Sequence, residues 1–374
     1  MSPLTVLHAV QPTDAGVAGY VAAVAADQLA RGWRVVVACP SGGRLAAELT
    51  ARGVPRLHWP ATRSPGSGTV AETWRLRRVI HQVSADVVHL HSAKAGLAGR
   101  LALQGRRPTL FQPHGWSWLA VRGAAARVAL AWERFASRWT DVVVCVGDGE
   151  AAHARHRQMP GRQVVVRNGV DLARFTPTDE RARAAARDRL GVSRAAPLAV
   201  CIGRVTRQKG QDMLLRAWPQ VQQHCPQAQL SIVGDGSLLR TLQGWAPPSV
   251  RFVAPVTDPR PWYAAADVVV LPSRWEGLSL TLLEALASGC PVVVSDIPGL
   301  ADAMTASVGA RVEVGNAEGL ANAVARRLSD RDLRAHEATA ARLAATVFDV
   351  QRTYEQLAAV TIQIARPAVQ FGSE

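Results

Sequence analysis

Short runs of β-branched and aliphatic residues alternate along the chain with longer segments in which apolar residues recur every three or four positions. The short runs read as buried strands and the longer ones as amphipathic helices. In the first half the expected strands are Thr5–Val10, Arg34–Ala38, Asp86–Leu90, Thr109–Gln112, Asp141–Val146 and Val164–Arg167, with helices such as Gly19–Ala30 and Ala93–Leu103 between them. The second half repeats the scheme, with strands at Leu198–Ile202, Gln229–Val233, Val250–Val253, Asp267–Leu271 and Pro291–Ser295. Alternation of this kind predicts an α/β fold built on parallel sheets covered on both faces, here as two units in tandem. The expected division is residues 1–170, 171–345 and a C-terminal piece, 346–374, that carries a helix around Phe348–Ile364 and a frayed tail, Pro367–Glu374. The join falls near Asn168–Pro177, where Asn-Gly and Pro177 interrupt the pattern.

Length agrees with two units, since 374 residues exceed one ordinary core, and at 48% apolar residues both can bury one. The five cysteines (Cys39, Cys145, Cys201, Cys225, Cys290) form no CxxC pair and fall mostly in or beside strand-like runs. That pattern fits reduced, buried thiols in a cytosolic protein, without disulfides or zinc. His8, Gln11 and Pro12 cut the apolar start, so no secretory signal is expected, and no apolar run of membrane-spanning length occurs.

Charge divides the halves. Of the formal net +14, residues 1–170 hold 21 basic and 9 acidic residues, whereas residues 171–374 hold 22 and 20. The basic first half is expected to face something anionic: a lipid surface, a phosphorylated acceptor or a nucleic acid. Lysine survives only at Lys94 and Lys209, beside 41 arginines, which suggests sites where a compact ammonium is needed.

Candidate chemistry sits where strands end, as expected of open parallel sheets. Leu198–Ile202 runs into Gly203-Arg204, then Gln208-Lys209-Gly210, then a helix near Gln211, so two cations can converge on a diphosphate. Taken alone, such a loop is more often a solvated surface. Gly234-Asp235-Gly236 is a tight turn after the next strand, and Val250–Pro255 is an extended edge whose backbone could meet a base.

The most specific string runs from Leu271 to Pro291. A buried strand leaves the sheet, turns at Glu276-Gly277 and enters a helix near Ser279. The N–H groups of Ser279 and Leu280 are then among the helix's unsatisfied first donors. Glu276 precedes the helix and Glu284 lies inside it, roughly 10 Å away by helical rise. That is too far to share a proton, and suited to gripping two ends of one ligand.

At this point the chain resembles the retaining glycosyltransferases of family 4, in an exopolysaccharide-type bacterial branch. The resemblance rests on Glu276…Glu284 with the following Ala-Ser-Gly-Cys-Pro-Val-Val, on Gly203-Arg204…Lys209-Gly210, and on Asn168-Gly169-Val170-Asp171…Phe175. It implies a GT-B fold: two Rossmann-like domains facing a cleft, with the C-terminal helix crossing back to the first. It implies that Arg204 and Lys209 hold the donor diphosphate, that Glu284 holds the ribose and that Glu276 meets the transferred sugar. Gly277, Leu278, Ser279 and Leu280 would line sugar and phosphate, Gly203 and Asp235 would border them, and Phe252 and Val253 would pair with the base. In the first half, Asp14-Ala15-Gly16-Val17 resembles the family's glycine-rich loop, with alanine where a first glycine is usual, and puts Gly16 near the distal phosphate.

His89-Leu90-His91-Ser92-Ala93-Lys94 resembles a segment bordering the acceptor cleft, and Pro113-His114-Gly115-Trp116 the family's cleft histidine. His91, Lys94, His114 and Trp116 are therefore expected on the acceptor side, with His114, Glu276, Arg204 and Lys209 nearest the chemistry. His89 and His91 point one way from their strand, but no third ligand is evident, so no metal is expected. Nor does an Asp-x-Asp metal motif stand at a strand end, and no cofactor is expected beyond a UDP- or GDP-linked sugar. Along Trp118–Trp139, Val121, Val128, Trp132 and Phe135 share one helical face beside Arg127, Arg134 and Arg138. This is either a helix packed on the sheet with a solvated basic flank or a surface for anionic lipid.

The implied reaction is transfer with retention to a hydroxyl, on a lipid-linked intermediate of surface-polysaccharide synthesis or on a natural product. The expected location is cytoplasmic, peripheral on the inner membrane face. The rivals are a GT-B nucleotide-sugar epimerase and a non-enzymatic basic module for membrane or nucleic acid. The near-neutral second half and its phosphate-gripping loops speak against the last, and no nucleic-acid partner is expected.

Overall fold

The structure is a computed structural model and describes residues 3–365. The described residues form two compact units: 3–167 with 352–365, and Asn168–Gln351. The expected fraying of Pro367–Glu374 lies outside the described residues.

The first unit has a seven-stranded sheet of β1 (Thr5–Val10), β2 (Arg34–Cys39), β3 (Arg56–His58), β4 (Val87–His91), β5 (Thr109–Gln112), β6 (Val142–Cys145) and β7 (Gln163–Val165), in the order β3-β2-β1-β4-β5-β6-β7. The second has six strands, β8 (Leu198–Ile202), β9 (Gln229–Val233), β10 (Val250–Val253), β11 (Val268–Leu271), β12 (Val292–Ser295) and β13 (Gly309–Val312), in the order β10-β9-β8-β11-β12-β13. Neighbouring strands pair in parallel throughout, for example His8 opposite His89 and Val200 opposite Val269. Parallel strands need helical crossovers on both faces, which is why central strands such as β4 and β11 are buried throughout.

The strands expected from the apolar runs are present, with ends shifted by a residue or two. Two more, β3 and β13, went unread. Each lies at an edge and is only partly buried, so its sequence lacks the apolar run that marks an inner strand. Each unit closes its own core. Leu7, Leu76, Leu90 and Phe111 meet in the first, and Leu214, Trp218, Leu230 and Val270 in the second.

In each sheet the strand order reverses once, between β1 and β4 and between β8 and β11. Crossovers on either side leave to opposite faces there, so a crevice opens beyond the carboxyl ends. The terminal helix Val350–Ala365 enters the first unit, where Thr353 Oγ donates to the Arg167 carbonyl at 2.8 Å and the Arg162 guanidinium meets Gln363 at 2.7 Å.

Candidate functional site

The candidate residues form two groups, one at each reversal point. In the second unit, the loops after β8 and β11 carry Gly203, Arg204, Lys209, Glu276 and Gly277. Lys209 Nζ stands 2.6 Å from Glu276 Oε1, and Ser273 Oγ donates to the same oxygen at 2.8 Å. The two loops are sewn together. Arg274 makes paired bonds to Asp212 at 2.8 and 2.7 Å and donates to the Arg207 carbonyl at 2.8 Å. Gln208 receives Arg204 at 2.8 Å and donates to the Trp275 carbonyl at 3.1 Å, while Gln211 donates to the Arg204 carbonyl at 3.1 Å. Gly210 has φ +71°, and a Cβ there would lie 1.9 Å from the Pro272 carbonyl oxygen, so only glycine lets these loops close on each other.

Helix Leu280–Ala287 starts beside Glu276, with Ser279 as N-cap accepting from the Leu282 N–H at 3.4 Å. One hydroxyl cannot satisfy every first-turn donor, so backbone N–H groups remain for an anion. The turn before the helix is braced at two points. Asn168 donates to the Leu278 carbonyl at 2.7 Å, and a Cβ on Gly299 would lie 1.9 Å from the Gly277 carbonyl oxygen. Leu278 is buried at 3% exposure within this turn. Within the helix, Glu284 accepts from the Tyr263 hydroxyl at 2.7 Å, a partner the sequence did not suggest. Burial, then the Glu284 carboxylate, pushes that phenol well above its ordinary range. Asp235 is exposed and accepts from the Gly236 N–H at 2.6 Å. Phe252 and Val253 lie half-buried on β10, the outermost strand.

The first unit differs from expectation at several residues. Helix Ala15–Ala30 begins before Gly19, so Gly16 stands in its first turn. The Asp14 carboxylate accepts from the Arg44 N–H at 3.0 Å and makes no cap bond to its own helix. Lys94 is not presented to an acceptor. It is 3% exposed, ion-paired with Glu72, and donates to the Ser64 carbonyl at 3.1 Å, so it ties its helix to the neighbouring one. Trp116 is likewise withdrawn: its indole stacks on Trp118 at 4.5 Å and donates to the Glu150 carbonyl at 2.9 Å.

His91 is fully buried, and His114 is half-buried at the exit of β5 with φ +53°. The sequence offered only two clustered histidines, but β1 brings a third. Parallel pairing sets His8 opposite His89, and one ring nitrogen from each of His8, His89 and His91 lies within 4.8 Å of the other two. The signal was a histidine in the apolar run Thr5–Val10. His8 Nδ1 and His91 Nε2 are 2.9 Å apart and His91 Nδ1 and His114 Nε2 3.1 Å, so these nitrogens hold each other. The His89 and His91 rings are tilted against each other, 4.0 Å between centroids at 34°. His8 and His91 are thus already paired with each other, whereas the buried ring nitrogens of His89 have no hydrogen-bond partner. Burial lowers His8 to about 4 and His114 to about 3, and holds His89 and His91 well below the ordinary histidine range, so the cluster is neutral near pH 7.

Helix Gly123–Ala136 turns an unexpected face inward. Glu133 and Ala136 are buried, with Glu133 held by Arg100 at 2.6 Å, both 1% exposed. Val121, Val128 and Phe135 stay exposed beside Arg127, Arg134 and Arg138. An open cavity of about 470 Å³ is lined by Arg106, Arg107, Asp141, Arg162 and Gln363. It lies at the amino ends of β5 to β7, away from the carboxyl-end crevice, and is not the candidate site.

The family described as "Glycosyltransferase Family 4" matches residues 15–174, and the one described as "Glycosyl transferases group 1" matches residues 196–330. The chain is 32% identical, over 87% of its length and 89% of the relative's, to a GDP-mannose-dependent alpha-(1-6)-phosphatidylinositol monomannoside mannosyltransferase of Mycolicibacterium smegmatis. A GDP-mannose-dependent monoacylated alpha-(1-6)-phosphatidylinositol monomannoside mannosyltransferase of Corynebacterium glutamicum is 35% identical over 47% of this chain and 49% of its own. The fold matches that of Anabaena HepE, solved with UDP and glucose, with a TM-score of 0.81 over 96% of this chain and 99% of that one at 24% identity. With both units matched and the fold that of GT-B glycosyltransferases, the chain belongs to glycosyltransferase family 4 and is an enzyme of sugar transfer.

Proposed function

We propose that the protein moves a hexose, with retention at the anomeric carbon, from a nucleoside diphosphate sugar to a hydroxyl of a lipid-anchored acceptor, with GDP-mannose the first donor to test. The observation that carries the reading is the Lys209–Glu276–Ser273 cluster beside the start of helix Leu280–Ala287, with Arg204 across the same reversal point. Diphosphate departure builds negative charge, and two cations with backbone N–H groups stabilise it. Lys209 reaches from Glu276 to the phosphate, which leaves Glu276 to accept from sugar hydroxyls. Glu284, oriented by Tyr263, takes the ribose hydroxyls, and the outer edge of β10 lies open to a base.

Both motif carboxylates are engaged by hydrogen-bond donors, which suits binding rather than covalent attack. Retention then comes from an acceptor hydroxyl arriving on the face the diphosphate leaves, with the phosphate taking its proton. The relatives act on phosphatidylinositol mannosides by name, and the basic first half with exposed Val128 and Phe135 suits a substrate held at an anionic surface.

The test is thermal stabilisation by a panel of GDP- and UDP-sugars, followed by the anomeric configuration of the transferred sugar. A bound ligand stabilises by RT ln(1 + [L]/Kd), about 2.7 kcal/mol at a hundredfold excess over Kd. GDP-mannose is expected to raise Tm most, and the product to keep the donor's anomeric configuration. An inverted product overturns the mechanism, and no stabilisation by any nucleotide sugar overturns the site.

A further inference from the structure

Four side chains from separate elements of the first unit stand in line. Gln28, on helix Ala15–Ala30, sets its amide oxygen 2.8 Å from His8 Nε2. His8 Nδ1, on β1, is 2.9 Å from His91 Nε2, at the end of β4, and His91 Nδ1 is 3.1 Å from His114 Nε2, beyond β5. Gln28, His8 and His91 are shielded from solvent, while His114 is half-buried at the outer end.

A neutral imidazole has one N–H and one bare nitrogen, so each bond in such a line decides the next. An amide oxygen only accepts, which puts the proton of His8 on Nε2 and leaves Nδ1 bare. The contact at Nδ1 then requires His91 to donate from Nε2, and bare His91 Nδ1 requires His114 to donate from its own Nε2. His114 ends the line with Nδ1 unprotonated.

We infer that the line Gln28–His8–His91 locks His114 as a hydrogen-bond acceptor, so that Nδ1 selects a hydroxyl of the substrate and discriminates against an unprotonated oxygen such as a phosphate oxygen or carbonyl. The proposal rests on the reading of His114 as a substrate contact. Gln28, His8 and His91 act through His114 and are positioning residues. The neutral state that the logic needs is the one burial enforces, since all three rings titrate well below neutrality. Tyr20 sets its ring edge against His114, 5.1 Å between centroids, and accepts from Gln112 at 3.0 Å, which restrains the terminal ring.

The experiment reads each tautomer directly, by long-range proton–nitrogen NMR of the ¹⁵N-labelled full chain at pH 7.5. His8, His91 and His114 are each expected as the Nε2–H form. Gln28→Leu removes the fixed end, and all three are expected to become mixtures. His91→Phe cuts the line, and only His114 is expected to lose its single form while His8 keeps Nε2–H. His114 as the Nδ1–H form in the wild type, or a single His114 tautomer surviving Gln28→Leu, overturns the lock. Should His91→Phe fail to fold, the wild-type and Gln28→Leu spectra still decide. Transfer separates the two readings. With His114 in the productive form only part of the time, Gln28→Leu is expected to lower kcat/KM roughly two- to tenfold when assayed well below the variant's own Tm. If spectra show the lock but His114→Phe transfers at the wild-type rate, the substrate contact is wrong and the lock serves structure alone.

Discussion

Lys209 and Glu276 hold each other 2.6 Å apart, partly open to solvent, and either partner alone would leave an uncompensated charge at the crevice. Lys209→Ala is expected to cut kcat/KM by about 10²–10³-fold, the scale of losing one electrostatic donor to a leaving group, with circular dichroism unchanged. Wild-type turnover in that variant would remove the pair from the site. The histidines carry a second consequence. His8 falls from an ordinary 6.5 to about 4 in the folded protein, so between those values the unfolded chain binds the extra proton. Stability is therefore complete above about pH 6.5 and falls as pH drops toward 4, by up to about 1.4 kcal/mol per pH unit for each such histidine. Urea midpoints from pH 7.5 to 5 are expected to show a steep decline that His8→Gln makes shallower; parallel slopes would contradict it. Of these residues, Lys209, Glu276, His91 and His114 were legible because they stand in motifs. His8, Gln28 and Tyr263 were not, since each borrows its meaning from a partner far along the chain.

Helix Gly123–Ala136 shows the same division at the next scale. Its periodicity marks the stripe Val121, Val128, Trp132 and Phe135, but not which way each member points: Trp132 is half-buried, with the Arg100 guanidinium 5.6 Å from its ring centroid, while the other three are exposed. Arg100, on helix Ser92–Leu103, decides it by drawing Glu133 into the interior, where its guanidinium also lies 4.0 Å from the Phe111 ring centroid. Removing one member of a buried pair strands the other, so Arg100→Ala is expected to cost about 3–5 kcal/mol in urea unfolding. The double replacement Arg100→Met with Glu133→Leu is expected to recover most of that loss. If Arg100→Ala costs nothing measurable, the pair does not anchor the helix. Lys94 with Glu72 is a second case, in which a conspicuous lysine proved to be a brace between helices.

For the whole molecule, charge asymmetry and the outward stripe belong together. Residues 1–170 carry 21 basic against 9 acidic residues, and Val128 and Phe135 stand exposed among arginines on that same half. Each cation near an anionic surface contributes about 1 kcal/mol, so sedimentation with phosphatidylserine vesicles is expected, weakening as salt rises. Val128→Asp with Phe135→Asp is expected to lower that binding at unchanged Tm, and unchanged binding would assign the stripe to something other than lipid. No helix among the described residues is long and apolar enough to cross a membrane.

The chain by itself determined the alternation of strands and helices, the parallel sheets, and the family motifs from Gly203 to Glu284. These are local: strand burial on both faces leaves apolar runs, and a phosphate-binding loop needs its glycines, cations and helix start close in sequence. Only the tertiary structure decided that Glu284 has Tyr263 as partner, that Arg274 and Asp212 clamp the loops after β8 and β11, and that Lys94 and Trp116 turn inward. It also decided that His8 completes a histidine line with Gln28 at its closed end. Such partners are set by strand order and register, and a parallel sheet brings together residues whose separation along the chain leaves no periodic trace.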